Sequence, residues 1–439
     1  MIASSSGNTV KSNGFSDKVP NEMSGVQPWF ACMMLLAIAP LLHLLATWDM
    51  DGVLTAKNHF LRLYSIPVVF AEVCAVLFAM GKNWSPGRQF RTLHPALKWL
   101  LAIFVAWGLI GSILSAYDPA FSALFFMRYL LQILLLGVLV HVIGSRSFSA
   151  DRWFTTFTLI SMVYVTGLVI FCFVVPDPEN FKWVERMPSA TNIRQIGNVV
   201  GIMALIPTAA LVFAHTARPT LLAFLSLTLL LAFMFWTGTR GAFVGYVLAV
   251  IGTFIWLFRT ASFKNIGLIL LSGVAAFLIS AVAPKPAPEF GMGRMVDSVS
   301  SGDATSGRIE MWIDAIEAIK AAPLIGHGSG TYRENMMAAN NYPYNHPHNS
   351  ILQFAYDWGI VGAIFALALL AWLGIMLLLK SRSCGRNGWA ALSAFVCLLA
   401  ISAVEGTLFH PLPIVLALAL MAPALAFTQN TVSGVDKQD

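Results

Sequence analysis

Two histidines stand two residues apart in Asn345-His346-Pro347-His348-Asn349, immediately before the apolar run that begins Ser350-Ile351-Leu352-Gln353. Imidazole, with an ordinary pKa of about 6.5, is the side chain best suited to proton transfer near neutral pH. Three arginines complete the set that could do chemistry. Arg240 lies in Thr237-Gly238-Thr239-Arg240-Gly241, a short polar break between two apolar segments. Arg308 opens the run that continues Ile309-Glu310-Met311-Trp312, and Arg194 follows Asn192-Ile193 at the head of another apolar segment. A guanidinium presents five donors in a rigid plane, which suits the oxygens of a diphosphate. These types together fit group transfer from a diphosphate ester. Positive charge stabilises the departing anion, and a base takes the proton of an acceptor hydroxyl. Attack opposite the leaving group inverts the reacting centre, and no persuasive pair of carboxylates points to a covalent, retaining route.

Each of these residues also has a purely structural reading. Arg240 could snorkel and anchor a tight turn, Arg308 could pair with Glu310 or a neighbouring acid, and His348 could cap a helix through the backbone. His346 is a second candidate for the base, or it shapes the acceptor pocket. Tyr342, Tyr344 and Trp312 could stack on sugar rings, or could belong to an interfacial aromatic belt. His346, Tyr344, Asn349 and Trp312 are thus the supporting substrate-binding candidates. Asp49-Met50-Asp51 spaces two carboxylates as a divalent cation would need, although solvated loop acids explain the triplet as well. No metal and no cofactor is expected. Glu72, inside an apolar run, is a buried acid that pairs with an Arg or His, or a proton relay.

The elements that position these groups are membrane helices. Of 439 residues 57% are hydrophobic and 11% charged, with mean hydropathy +0.73, against roughly 25% charged in a soluble domain. Segments near 28–48, 60–80, 96–115, 122–143, 152–175, 195–215, 219–236, 240–258, 264–284, 351–379, 388–404 and 410–428 approach the ~20 apolar residues that cross a bilayer. The expected fold is therefore an all-α polytopic membrane protein of about twelve transmembrane helices. Residues 1–27 read as a disordered cytosolic leader, 28–284 as helices one to nine, 285–350 as a large outer loop, 351–428 as helices ten to twelve, and 429–439 as a cytosolic tail.

Basic residues concentrate in alternate short loops, among them Lys82, Arg88, Arg146, Arg152, Arg259 and Lys380. That bias puts both termini in the cytoplasm and the 285–350 loop on the outer face. The formal net charge of +6 is then mostly topological, and no nucleic-acid partner is read from it. Within the long loop, Ile309, Trp312, Ile313, Ile316 and Ile319 recur at helical spacing between a possible Ser306 cap and Pro323. An amphipathic helix on the membrane surface fits, followed by a second short helix near 331–339. The five cysteines lack any C-x-x-C spacing and avoid the outer loop, so no structural disulfide is expected.

Three elements in order, Thr237-Gly238-Thr239-Arg240-Gly241, Ser306-Gly307-Arg308-Ile309-Glu310-Met311-Trp312, and His348-Asn349 with the later Gly359-Ile360-Val361-Gly362, resemble the O-antigen ligase and polymerase superfamily. The resemblance covers about residues 195–380. It implies a GT-C type glycosyltransferase whose donor is an undecaprenyl diphosphate-linked O-antigen and whose acceptor is lipid A-core. The enzyme would work among membrane lipids at the periplasmic face of the bacterial inner membrane. Carried across, His348 is the catalytic histidine, Arg240 and Arg308 contact the diphosphate, and Arg194 is a further contact. O-antigen polymerase and protein O-oligosaccharyltransferase share the donor and stay open as alternatives. A flippase for lipid-linked glycan stays open as a different class, although the two halves of the chain lack the likeness expected of such transporters.

Overall fold

The computed structural model describes residues 27–49, 61–114, 118–144, 148–183, 186–190, 192–258, 262–288, 290–291, 307–340 and 344–426. Every regular element among them is helical. In chain order they are α1 (Pro28–Ala46), α2 (Ile66–Gly81), α3 (Pro86–Thr92), α4 (Pro95–Ile113), α5 (Pro119–Ile143), α6 (Ala150–Val174), α7 (Ile193–Val212), α8 (Ala217–Trp236), α9 (Arg240–Trp256), α10 (Phe263–Val282), α11 (Arg308–Ala321), α12 (Tyr332–Asn340), α13 (Ser350–Ser381), α14 (Gly385–Glu405), a 3-10 turn (Thr407–Phe409) and α15 (Pro411–Ala426). Many starts are written in the sequence. Asp118, Ser149, Asn192, Ser262 and Asn349 each accept a backbone N–H of the first turn, and proline opens α1, α3, α4 and α5.

Each of the twelve expected spans coincides with a helix, but not all are long enough to cross a membrane alone. Nine are, and a tenth counts if α2 and α3, which meet at 82°, form one broken span. The short apolar helices α9 and α15 complete the set. α15 packs against α5, α7, α13 and α14 and is buried along nearly its whole length, as is α7. These two form the axis of the bundle, whereas α10 turns Leu270, Leu271, Val274 and Phe277 outward, a surface suited to hydrocarbon. The five cysteines, all described, are unpaired.

The long loop carries the expected helix, α11, and the structure divides its faces. Met311, Ala315 and Ile319 turn toward the protein, while Ile309, Ile313 and Ile316 are exposed. Three isoleucines of the stripe read from the sequence therefore face outward, while Ile319, from the same stripe, joins Met311 and Ala315 in the protein contact. Gly307, in a left-handed conformation at φ 69°, stands at the cap of α11 with no side-chain bond. Ser306, the expected cap, lies outside the described residues, as do residues 1–26 and 427–439 at the two ends.

Behind this helix, α13 is broken at Gly359, where φ is 68° and ψ 178°. The break frees carbonyls, and the segment after α11 accepts the task of pairing them. His327 N–H donates to Tyr356 O at 2.8 Å, Gly328 N–H to Asp357 O at 2.9 Å, and Ile360 N–H to Pro323 O at 2.8 Å. Trp107 adds an indole bond to Trp358 O at 3.1 Å. A Cβ at residue 359 would collide with the Leu324 carbonyl, and the left-handed φ would strain it besides. The glycine motif thus docks the long loop into α13.

Candidate active site

The ends of α7, α9, α13, α14 and α15 meet the start of α11 around one carboxylate, Glu405, the last residue of α14. Arg308 Nη2 donates to Glu405 Oε1 at 2.5 Å. His348 Nδ1 lies 3.8 Å from Glu405 Oε2, too long for a hydrogen bond but within coulombic reach. Arg194, in the first turn of α7, is near enough for its charge to act on the same carboxylate. The backbone of Gly241, next to Arg240 at the head of α9, packs against the Glu405 side chain. His348, Arg308 and Arg194, with the backbone beside Arg240, therefore gather about an acid that no sequence motif marked. The expected local partner of Arg308, Glu310, is replaced by one 97 positions away.

Burial makes this arrangement usable. The Glu405 side chain is 7% exposed, whereas those of Arg308 and His348 are 18% and 19% exposed. A buried carboxylate needs compensation, since an isolated one carries a desolvation penalty of several kcal/mol. Arg308 supplies it with one nitrogen and keeps its remaining donors for another anion. The Nδ1 edge of His348 faces the acid. A proton held on that edge leaves the Nε2 lone pair as the basic site.

The His-Pro-His loop is held at each step. Trp312 of α11 donates from Nε1 to Pro347 O at 2.9 Å. His348 has φ 52°, a left-handed conformation uncommon for a residue with a side chain. Its backbone N–H donates to His346 Nδ1 at 3.1 Å, and Asn349 Oδ1 accepts from Ile351 and Leu352 N–H at 3.0 and 3.1 Å. Asn349 is thus the helix cap, a task that His348 does not perform. Tyr344 meets the His348 ring edge-on at 6.0 Å and is 42% exposed, open to a ligand. Tyr342 lies outside the described residues.

His346 sits deeper than His348. Its ring lies 4.5 Å from that of His348, 4.9 Å from Phe409 and 5.4 Å from His410. Gly406, at φ 59°, makes room for it, because a Cβ there would enter the imidazole. Burial, then the neighbouring charges of His348, His410 and Arg308, holds the His346 pKa well below its ordinary value. Burial, with Arg128 next, pulls His410 down to about 3. Both rings are neutral at pH 7, and since His346 Nδ1 accepts the His348 N–H, its proton is on Nε2.

Three contributors escaped the sequence reading besides Glu405. His410 stands at the lip of α15 as His348 does at α13, so the same signal marks it. Its Nε2 meets Gln195 Nε2 at 3.1 Å, joining α7 to the cluster. Arg128 of α5 donates from Nη2 to Phe409 O at 2.6 Å and fixes the turn whose ring packs, tilted, against His346. Asp49 lies near the charge of Arg62, while Met50 and Asp51, the rest of the proposed cation triplet, lie outside the described residues. Among the described residues no group of three or more His, Cys, Asp or Glu side chains could hold a metal.

Comparison with known proteins adds an independent line. Residues 224–367 match the family model described as O-antigen ligase, a stretch from α8 into α13 that takes in Arg240, Arg308, His346 and His348 but stops short of Glu405. The match supports membership of the O-antigen ligase superfamily. An uncharacterized protein of Haemophilus influenzae is 24% identical over 287 residues, which cover 60% of this chain and 68% of its own length.

Proposed function

We propose that this chain, whose segment 224–367 is of O-antigen ligase type, transfers a glycan from undecaprenyl diphosphate to lipid A-core. The reaction is a metal-independent, inverting glycosyl transfer of lipopolysaccharide biosynthesis. The observation that carries this reading is the gathering of His348, Arg308, Arg194 and the Arg240 turn about Glu405. His348 Nε2 takes the proton of the acceptor hydroxyl while Glu405 orients and stabilises the imidazolium that forms. The 3.8 Å separation closes when the acceptor binds, as catalytic hydrogen bonds commonly do. Arg308, Arg240 and Arg194 receive the charge of the departing diphosphate. His346 serves as a positioning residue, because its Nδ1 lone pair is engaged by the His348 backbone. Tyr344 and Trp312 line the sugar. The site faces the periplasm from the inner membrane, with both termini cytoplasmic.

The deciding experiment incubates the purified protein with lipid-linked O-antigen and rough lipopolysaccharide. Ligation moves the glycan onto the lipid A-core band. Polymer that stays on the lipid donor and grows would establish the polymerase alternative, and glycan on pilin would establish the protein-directed one. Movement of donor across vesicles without transfer would overturn the enzyme reading altogether.

A further inference from the structure

Between Glu72 and Asp118 the sequence has no acidic residue, yet it carries Lys82, Arg88, Arg91 and Lys98. The fold brings these cations to one corner of the bundle. Lys82 ends α2, the chain turns through 82° into the short α3, and α4 begins at Pro95, three residues after α3 stops. Arg88 and Arg91, three residues apart, share a face of α3 and are exposed. Lys98 Nζ donates to Arg91 O at 2.7 Å, which ties its ammonium to the end of that helix.

The other side of the elbow is fixed to the protein. Trp84 is buried and donates from Nε1 to Gln89 Oε1 at 2.5 Å. The Gln89 side chain lies over the bare Cα of Gly137 on α5, where a Cβ would come within 3.2 Å of Oε1. Neighbouring basic residues at this end of the bundle are engaged. Arg386 holds Asp151 at 2.6 Å, Arg382 lies 4.2 Å from the centre of the Trp256 ring, and Lys380 Nζ donates to Leu425 O at 2.7 Å. Among the described residues none of the four elbow cations enters an ion pair.

What accompanies the charge decides the ligand. Phe90, Leu93 and Leu97, interleaved with the cations, line one end of an apolar cavity of about 470 Å³. Phe90 and Trp99 are 41% and 70% exposed, as aromatic side chains at a membrane surface commonly are. A soluble anion would use the charge alone. An amphiphile uses both, with its anion on the guanidinium forks and its hydrocarbon against the rings. The bend turns α3 away from the axis of α2, so its arginines lie at the level of the headgroups.

We propose that the α2–α3 elbow binds an anionic phospholipid, with its phosphate held by Arg88, Arg91 and Lys98, flanked by Lys82, and an acyl chain passing over Phe90 into the cavity mouth. The site is independent of the transfer reading. It lies at the end of α13 that carries Lys380, the length of that helix from Asn349 and the candidate active site.

The test uses the full chain, released from bilayers of mixed phosphatidylglycerol and phosphatidylcholine, with retained lipid counted by native mass spectrometry. The wild type should keep phosphatidylglycerol in preference to phosphatidylcholine. Arg88→Gln/Arg91→Gln should weaken that preference about tenfold or more, since each cation near an anionic surface contributes on the order of 1 kcal/mol. Lys98→Gln, which leaves α3 unaltered, should weaken it severalfold. Arg218→Gln/Lys264→Gln, which removes two exposed cations from the starts of α8 and α10, should leave it unchanged. Equal retention of the two lipids by the wild type would overturn the site. Equal losses in the two double variants would also overturn it, as a general effect of surface charge. Displacement of the retained lipid by inorganic phosphate would replace the lipid assignment with a free-phosphate site.

Discussion

Two charged clusters flank Phe409, and they are held in different ways. Above it, at the mouth, Arg308, His348 and Glu405 come from three distant helix ends, and the two basic groups stay partly exposed around the buried acid. Below it, Arg128, Glu72 and Asp357 lie within α5, α2 and α13 and are buried. There Arg128 holds the Phe409 carbonyl at 2.6 Å, lies 3.9 Å from the centre of the Phe125 ring and interacts with both acids, while Gln353 donates to Asp357 at 2.7 Å. On the proposed mechanism the difference separates chemistry from support. A group that handles substrate must be reachable, and one that fixes helix register need not be.

That contrast breaks if the wrong cluster responds to mutation. His348→Ala should have the largest effect, lowering transfer by roughly 10²–10⁴-fold with unchanged thermal unfolding in detergent; a stability loss of comparable weight would return His348 to the scaffold. Arg128→Leu should do the reverse, destabilising by about 3–5 kcal/mol as buried acids lose their counter-charge. Full stability with lost transfer in that variant would move the inner cluster into the chemistry. Glu405→Gln should lower transfer by about 10²-fold or less and flatten the pH profile, since the amide cannot stabilise an imidazolium. The neutral, buried His346 and His410 predict a pH effect of defined sign. Their folded pKa values lie below the unfolded ~6.5, so stability is full above that value. It should fall as pH drops below it, by up to about 1.4 kcal/mol per group for each unit, until the folded pKa is reached. A melting temperature level from pH 7 to 5 would sink that assignment. Smallest is Asn349→Ala, which should cost about 1 kcal/mol as a lost helix cap.

The sequence made the helices legible because apolar runs and capping residues are local signals. It also marked Arg240, Arg308 and His348, whose types stand out at a membrane edge. Glu405 was invisible for the opposite reason. A single acid beside a short turn has no local feature that distinguishes it, and its partners at 194, 308 and 348 are brought to it by packing alone. The two faces of α11 show a second limit. In water a helix has one apolar side, which is its inner side. Beside lipid both sides can be apolar, so periodicity finds a stripe without saying whether Ile313 or Ala315 faces the protein.

The break at Gly359 bears on the order in which the molecule can be made. Carbonyls freed within a membrane helix must find donors, because hydrocarbon supplies none. Those donors are on His327 and Gly328, which leave the ribosome before α13 does. The plug therefore precedes the gap it fills, and exchanging the long loop for one from another protein without residues 323–328 should leave α13 unable to settle as a stable span.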